Sequence, residues 1–321
     1  MIVDKEVYLD NLKKMDIIPF LQTKEWLLGL IKDDVNFVFL MDSIDAPQIM
    51  SFGRITNKRL LGRKLMIDGI CLKKGAKISQ IRDFFRSFML ENFDIIEISD
   101  ISQYNSDFEI AIRQAGYKRP LGLSLCPMSL IVDLQDDFSF HRNWRRAVKK
   151  SKDFENVFCI EDNPKNSDIL DFIDLFGKLK RRKGLGFDLT IEQLSLLLKG
   201  NYKLFFIKNK EGKKIAGRIS YENDNLVYDV YAANSDEAIK TGAVYHIQEE
   251  ILNYYKNLGL RYFDYGRISP SADEMNNIYM SKSFSGGYPI AYNGQWCFYK
   301  HSIIEYLYSF YIFVKNKQHR Y

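Results

Sequence analysis

Hydrophobic positions follow two patterns along this chain: the alternation typical of strands and the three-to-four spacing typical of helices. The same succession of antiparallel strands, a helix, a strand and a helix is predicted in each half. The first half has predicted strands at Asn36–Met41, 49–55 and 64–71, a helix near 77–91, a strand at 94–99, a helix at 105–115 and a strand at 129–134.

The second half repeats this order after two further helices. Its predicted elements are helices at 167–181 and 191–198, strands at Tyr202–Lys208, 213–221 and 226–232, a long helix at 236–257, a strand at 261–265 and a helix near 272–282. Turn residues separate them: Gly212 and Asn223 interrupt the strands, Ser235 is a candidate N-cap, and Gly259 is a helix stop.

Length and composition indicate a globular protein of about two domains. Of its 321 residues, 46% are hydrophobic and 27% are charged, which supplies a sizeable core. The net charge of +5 suits anionic ligands, and it is far below that of a dedicated DNA-binding protein. We therefore expect no DNA partner.

The four cysteines, Cys71, Cys126, Cys159 and Cys297, lie far apart and lack the paired spacings of zinc sites. They indicate thiols in a reducing compartment. The first residues carry charges where a signal peptide needs an apolar stretch, so we expect a cytoplasmic protein.

An aromatic-rich segment near the end, 303–314, is too short to span a membrane. It predicts a helix packed on the body of the protein. The alternative is docking at the inner face of the membrane, with Lys315, Lys317 and Arg320 beside it. Peripheral membrane association therefore stays open.

A cationic segment, 140–152, lies between the two halves. At helical spacing its cations share one broad side, while Trp144 and Val148 occupy the other. The pattern is typical either of a solvated helix face or of a docking surface for the phosphates of a nucleotide, a lipid diphosphate or tRNA. The candidate docking residues are Arg142, Arg145, Arg146, Lys149 and Lys150.

Familiar catalytic motifs are absent from the sequence. It contains no phosphate-binding loop of kinases, no dinucleotide-binding glycine motif, no metalloprotease motif and no serine-hydrolase elbow. The four histidines are isolated, so neither a histidine-based metal site nor a catalytic triad is expected. We predict no bound cofactor and no metal.

One stretch differs from ordinary core sequence. A predicted strand ends in Asp264, Gly266 and Arg267, where polar groups open into a cleft and glycine permits close approach of a ligand. Lys282 follows, and the flexible pair Gly286 and Gly287 comes shortly after it. The pattern favours a binding site over a plain turn.

The same stretch resembles the end of the Fem family of non-ribosomal peptidyltransferases, in which a glycine-spaced strand ending in aromatic-Asp-aromatic-Gly precedes a lysine and a Gly-Gly pair. Seven weak motifs occur in the family's order. They lie at 22–26, 105–117, 131–134, 144–150, 179–185, 259–266 and 282–287. The resemblance covers roughly residues 20–300, although Phe284 lies one residue closer to the lysine than in the family.

The resemblance implies an α/β (α+β) chain of tandem GNAT-like domains, each a mixed, mostly antiparallel sheet flanked by helices. The first domain would span 1–150, with a last helix at 301–321 packing back on it, and the second 151–300. Members transfer an aminoacyl group from charged tRNA to an amine of a peptidoglycan precursor held between the domains. The long coiled-coil arm of larger members is absent, so the chain looks like the compact members.

The family's functional residues carry over onto matching positions. Lys282 would be the cation near the reacting carbonyl or the acceptor phosphate, and Asp100 would orient the acceptor amine or relay its proton. Arg182, with Arg181 as the register alternative, would bind the acceptor diphosphate. Tyr228 and Tyr231 would line the cleft, or else serve as plain sheet residues.

Three hypotheses follow. The first is an N-acyltransferase that uses aminoacyl-tRNA on a nucleotide- or lipid-linked envelope precursor. The second uses an acyl-CoA or acyl carrier on an amino sugar, but the nearest match to a CoA loop, 239–244, has Ile239 and Val244 where polar and small residues belong. The third is a non-catalytic module that binds phosphorylated glycans. The acyl group, the acceptor and the oligomeric state remain open.

Overall fold

The computed structural model describes residues 1–30, 36–58, 61–120, 127–136, 139–268 and 277–315. The chain divides into two compact units, the first made of residues 1–27, 31–128 and 290–321 and the second of 28–30 and 129–289. These boundaries differ from the predicted ones near 150 and 300. The cationic helix belongs to the second unit because it packs on helices of that unit.

The elements begin with a strand and two helices and continue into a meander. In chain order they are β1 (Ile2–Val3), α1 (Lys5–Leu12), α2 (Lys24–Leu30), β2 (Asn36–Met41), β3 (Ile49–Lys58), β4 (Gly62–Asp68), β5 (Cys71–Leu72), α3 (Ile78–Ser87), β6 (Ile95–Gln103), α4 (Ser106–Gln114) and β7 (Met128–Asp133). Short 3-10 turns precede α2 and follow α3.

The cationic helix opens the remaining part of the chain. Its elements are α5 (Arg142–Asp153), β8 (Val157–Glu161), α6 (Asn166–Lys183), α7 (Ile191–Leu197), β9 (Tyr202–Lys208), β10 (Lys214–Asn223), β11 (Leu226–Asn234), α8 (Asp236–Thr241), α9 (Ala243–Asn257), β12 (Tyr262–Arg267), α10 (Asn277–Ser283), β13 (Tyr288–Tyr299) and α11 (Ser302–Lys315).

In the first unit the strands lie in the order β1-β2-β3-β4-β6-β13, with β5 beside β3. Neighbours are antiparallel except β4 and β6, which are parallel and joined through α3. The helices α3 and α4 pack together, and both bury aromatic residues in the core. The core includes Phe84, Phe85, Phe108 and Trp296.

The second unit repeats this arrangement with the order β7-β12-β11-β10-β9-β8. Its single parallel pair among the described strands is β11 with β12, joined through α8 and α9. In each unit a meander leads to a crossover helix and a parallel strand, and a strand from elsewhere in the chain pairs antiparallel beside that strand. The predicted mixed, mostly antiparallel fold is confirmed.

Several features differ from the sequence prediction or lie outside the described residues, and three of them bear on the site and its surroundings. The long helix at 236–257 is interrupted at Gly242, which has φ +84°. The strand β13 is absent from the sequence prediction. Its buried positions include the polar residues Asn293 and Gln295, which break the hydrophobic pattern expected of a buried strand. Of the predicted helix 272–282 only the part in α10 is described, and Cys126, Lys317 and Arg320 lie outside the described residues.

The described helices include none that is both long enough and apolar enough to cross a membrane. Cys71 and Cys297 are buried free thiols, and Cys159 is a half-buried one. Within the described ranges, no cluster of histidine, cysteine and acidic side chains is arranged to hold a metal ion.

Candidate active site

Lys282 lies in the last turn of α10 and directs its ammonium group at the end of β12. Its Nζ donates hydrogen bonds to the carbonyl oxygen of Tyr265, at 2.7 Å, and to that of Arg267, at 3.4 Å. The described part of the chain gives it no direct carboxylate partner. Burial lowers the pKa of Lys282 below its ordinary value, and the charge of Asp229 opposes that shift.

A bulge at the end of β12 explains why two carbonyls face the same ammonium group. The pairing register with β7 shifts between Asp264 and Arg267, and Gly266 lies in the bulge with φ +71°. The carboxylate of Asp264 accepts hydrogen bonds from Ser129 Oγ and from Gly266 N, the latter at 2.8 Å. Asp264 is fully buried, and its hydrogen bonds stabilise the bulge at the end of β12.

A buried ion pair on neighbouring strands also acts on Lys282. Arg218 of β10 donates from Nη1 to Asp229 Oδ2 of β11 at 3.0 Å, and both side chains are nearly inaccessible to solvent. Burial raises the pKa of Asp229, while Arg218 and Lys282 hold it down. Among the described residues, Arg218 Nε has no hydrogen-bond partner. A buried donor of this kind retains capacity for a ligand.

The two glycines after α10 have structural roles in the turn that follows this helix. Gly286 has φ +84°, which favours glycine. A Cβ at Gly287 would lie 2.1 Å from Leu130 Cδ2, so only glycine fits against β7. Ser285 Oγ donates to the carbonyl of Lys282 at 2.6 Å. These contacts hold the turn that follows Lys282.

The two candidate diphosphate-binding arginines differ in their surroundings. Arg182 donates to Asp236 Oδ1 at 2.6 Å and to the carbonyl of Asn234 at 3.1 Å. Arg181 is exposed and has no ion-pair partner among the described residues. Since Arg182 is already paired, Arg181 is the freer of the two for an anionic ligand.

The two candidate cleft tyrosines also differ. Tyr228 is buried and stacks on Tyr221, with ring centroids 6.4 Å apart, which is the environment of a sheet residue. Tyr231 is half-buried, two residues beyond Asp229, and its ring contacts Phe176 edge-on at 6.3 Å. Burial raises the pKa of Tyr231 to about 12, so its hydroxyl stays protonated at neutral pH.

The cationic helix α5 separates its two faces cleanly. Trp144, Val148 and Ser151 are buried, and Trp144 contacts the ring of Tyr245 at 5.0 Å. Lys152 pairs with Glu250 at 3.4 Å. The five predicted docking cations are exposed, and the structure gives them no ion-pair partner among the residues it describes: Arg142, Arg145, Arg146, Lys149 and Lys150.

The second half of the segment compared with a CoA loop is covered by α5. Gly242 and Ala243 are buried where α9 begins. A Cβ at Gly242 would lie 2.3 Å from the carbonyl oxygen of Ala147. The backbone of α5 therefore fills the space in front of this helix start, where a pyrophosphate would need open amide groups.

Asp100 belongs to the first unit and lies on β6. Its carboxylate accepts hydrogen bonds from Asn293 Nδ2 at 2.8 Å, Ser102 Oγ at 3.1 Å and Ile70 N at 3.3 Å. Burial raises the pKa of Asp100, and these hydrogen bonds oppose the shift. The side chain is therefore a buried carboxylate fixed by neutral donors.

A pocket of about 270 Å³ opens at Asp100 within the first unit. Its wall combines an apolar floor, including Ile70 and Phe108, with the cations Lys73 and Lys74. The polar start of α4, capped by the side chain of Asn105, completes one side. Such a mixture of a buried carboxylate with one half-buried and one exposed lysine suits a zwitterionic or amine-bearing ligand.

The structure thus brings Lys282, Asp264 and Arg267 together, and it sets Asp100 in a pocket of its own unit. Sequence reasoning missed Arg218, Ser129 and Asn293. A charged residue inside an apolar strand was the available signal for Arg218. Nothing local marks Ser129 or Asn293, because their partners are distant in sequence.

No family model and no curated protein matches the chain. Several solved structures match the chain. A FemX structure matches with a TM-score of 0.71 at 14% identity, covering 96% of this chain and 99% of its own. L-PGS from Bacillus licheniformis matches with a TM-score of 0.67 at 15% identity, covering 96% and 97%.

A third structure, of a protein of unknown function from Bacteroides thetaiotaomicron, has a TM-score of 0.62 at 12% identity and covers 92% of this chain and 99% of its own. Identities this low show a shared fold. The predicted resemblance to the Fem family is confirmed at the level of the fold.

Proposed function

We propose that the chain is an N-acyltransferase that moves an aminoacyl group onto an amine of a nucleotide- or lipid-linked envelope precursor. The observation that carries this proposal is the ammonium group of Lys282, held by two backbone carbonyls with no direct carboxylate partner among the described residues. A fixed cation whose charge is not cancelled can stabilise an oxyanion. The fold shared with FemX and L-PGS supports this class of reaction.

The proposed transfer needs no covalent intermediate. The acceptor nitrogen attacks the ester carbonyl carbon, and negative charge develops on the carbonyl oxygen. The C–O bond then breaks, and the departing ribose oxygen takes up the proton that the nitrogen loses. In this proposal Lys282 stabilises the oxyanion, and positioning supplies much of the remaining acceleration.

For the acceptor we propose the pocket at Asp100. Its buried carboxylate would orient an amine, while Lys73 and Lys74 would contact a carboxylate or phosphate of the same molecule. Arg181 is the proposed diphosphate contact of the second unit, since Arg182 is already paired with Asp236.

For the donor we propose aminoacyl-tRNA rather than acyl-CoA. Five exposed cations on α5 suit the phosphodiester backbone of tRNA. The burial of Gly242 and Ala243 against α5 disfavours a CoA pyrophosphate at this helix start. A nucleic-acid partner of this kind binds through its phosphates, so its affinity should fall steeply with salt.

The test of the reaction combines total tRNA charged with radiolabelled amino acids, a panel of acyl-CoAs, and UDP-linked or lipid-linked amine acceptors. We expect transfer from tRNA, and we expect Lys282→Met to lower kcat/KM by about 100-fold. Lys213→Met, at an exposed turn, is the matched control and should retain activity. Equal loss in both variants, or transfer from acyl-CoA alone, would contradict the proposal.

The test of the donor surface is a salt titration of tRNA binding. Arg145→Gln combined with Lys149→Gln should weaken binding and flatten its dependence on salt. Lys152→Gln removes a cation of the same helix that is already paired with Glu250, and it should change the slope less. Binding of a phosphorylated glycan without any transfer would favour the non-catalytic module instead.

A further inference from the structure

The last helix, α11, is fixed to the first unit by one face. Tyr308 is buried and shares a hydrogen-bond network with Lys64 and Glu97, in which Lys64 Nζ donates to Tyr308 at 2.6 Å and to Glu97 at 2.7 Å. Glu305 pairs with Lys118 at 3.0 Å. Because these contacts fix the rotation of the helix, they also decide which residues face outward.

The outward face is an apolar stripe at the spacing of a single helix side. The exposed fractions reach 67% at Phe310 and 71% at Tyr306. The outer stripe consists of Ile303, Tyr306, Leu307, Phe310, Tyr311 and Val314. Large apolar groups scattered singly on a surface are ordinary, but a contiguous row of them marks a surface that binds something.

The charged residues that flank α11 in the sequence are cationic. The one acidic residue of α11, Glu305, lies on the inner face and is already paired. Lys300 precedes the helix and is exposed. At the other end the sequence supplies Lys315, then Lys317 and Arg320.

We propose that α11 docks the protein in the plane of an anionic lipid surface, with the outer stripe inserted among the acyl chains near the headgroups. Tyrosine suits this depth because its ring is apolar and its hydroxyl is polar. The flanking cations pair with lipid phosphates. A helix of 14 residues is shorter than the roughly 20 that a span needs, so it lies along the surface.

Charge also distinguishes a lipid surface from a second copy of this chain. Lys300 precedes α11 and Lys315 is its last residue, so two copies paired through the outer stripe would bring like charges together in either orientation. An anionic lipid surface complements both ends at once. Membrane docking by α11 does not depend on the transfer reaction, so either can fail without the other.

The test is co-sedimentation of the full chain with vesicles of phosphatidylcholine alone or mixed with phosphatidylglycerol. The wild type should bind the mixed vesicles more tightly. Phe310→Asp should weaken that binding by about tenfold or more. It removes an aromatic side chain that would be inserted in the lipid, and it adds a negative charge that the anionic headgroups repel. Leu170→Asp, at a half-exposed position of α6, is the matched control and should bind like the wild type.

Two further measurements complete the test. The tryptophan fluorescence of the Phe310→Trp variant should be quenched by lipids brominated in the acyl chain near the headgroup. This quenching reports insertion of the outer stripe. Light scattering tests the alternative of a second copy. Docking is overturned if the wild type binds neither kind of vesicle, or if Phe310→Asp binds as tightly as the wild type. It is also overturned if the wild type is a dimer and the Phe310→Asp variant is a monomer.

Discussion

The first unit has a buried lysine and the second has a half-buried one, and the two lysines are satisfied in different ways. In the first unit Lys64 contacts the carboxylate of Glu97 and the hydroxyl of Tyr308, and its side chain is 7% exposed. In the second unit Lys282 donates to two backbone carbonyls. Within the described part of the chain it has no direct carboxylate partner, and Arg218 Nε has no hydrogen-bond partner. The first cluster is closed, whereas the second retains charge and hydrogen-bonding capacity.

The difference shows that burial of a charge does not by itself mark a site. A buried ion pair whose hydrogen bonds are satisfied contributes to the structure. Removing one partner leaves the charge of the other buried and unpaired. A half-buried cation that lacks a direct carboxylate partner has a desolvation cost in the free protein, and a developing negative charge can relieve that cost. The comparison therefore predicts a stabilising role for Lys64, and it is consistent with the catalytic role proposed for Lys282.

The largest expected effect tests this assignment directly. Lys64→Met should lower the free energy of unfolding by about 3–5 kcal/mol, because Glu97 stays buried without its partner. Lys282→Met should cost much less stability, since its carbonyl partners carry no net charge. Urea unfolding of both variants measures the contrast, and similar losses in the two would contradict it.

A smaller effect is expected from the anchor of the bulge. Ser129→Ala removes a buried hydroxyl that donates to Asp264, so we expect a loss of about 1–3 kcal/mol. Because the bulge positions the carbonyls of Tyr265 and Arg267, kcat should fall more than KM rises. Ser129→Thr keeps the hydroxyl and should restore part of kcat. Ser129 is a positioning residue, and an unchanged kcat would remove that role.

The smallest expected effect is a displacement of the titration of Lys282, with a sign that depends on the neighbour removed. Asp229 raises the pKa of Lys282 and Arg218 lowers it, so Asp229→Asn should lower that pKa and Arg218→Met should raise it. Reactivity of Lys282 toward acetic anhydride, read by peptide mass spectrometry across neutral to alkaline pH, reports the shift.

In that experiment Asp229→Asn should make Lys282 reactive at lower pH, since the neutral amine is the reactive form. Circular dichroism establishes that each variant is folded, and Lys213 in the same sample serves as an exposed internal control. Displacement of both variants in the same direction would show that the buried pair does not act on Lys282 through its charge.

Parts of the site were readable from the sequence. Lys282, Asp264 and Arg267 stand out because polar and charged residues follow an aromatic strand, and the cations of α5 stand out by their density. The docking role of these cations stays a prediction, as do the roles of Asp100 and Lys282. Asn293 could not be found this way, because it meets Asp100 only when β13 pairs beside β6.

The sequence alone determined most elements and their doubled order, because hydrophobic periodicity, turn residues and helix caps act over a few neighbouring positions. It also determined that α11 is aromatic and that α5 is cationic. Only the tertiary structure decided which face of α11 is turned outward, that Gly242 lies against Ala147, and that Asp264 supports a bulge. These outcomes depend on contacts between residues far apart in the chain, whose partners no local pattern specifies.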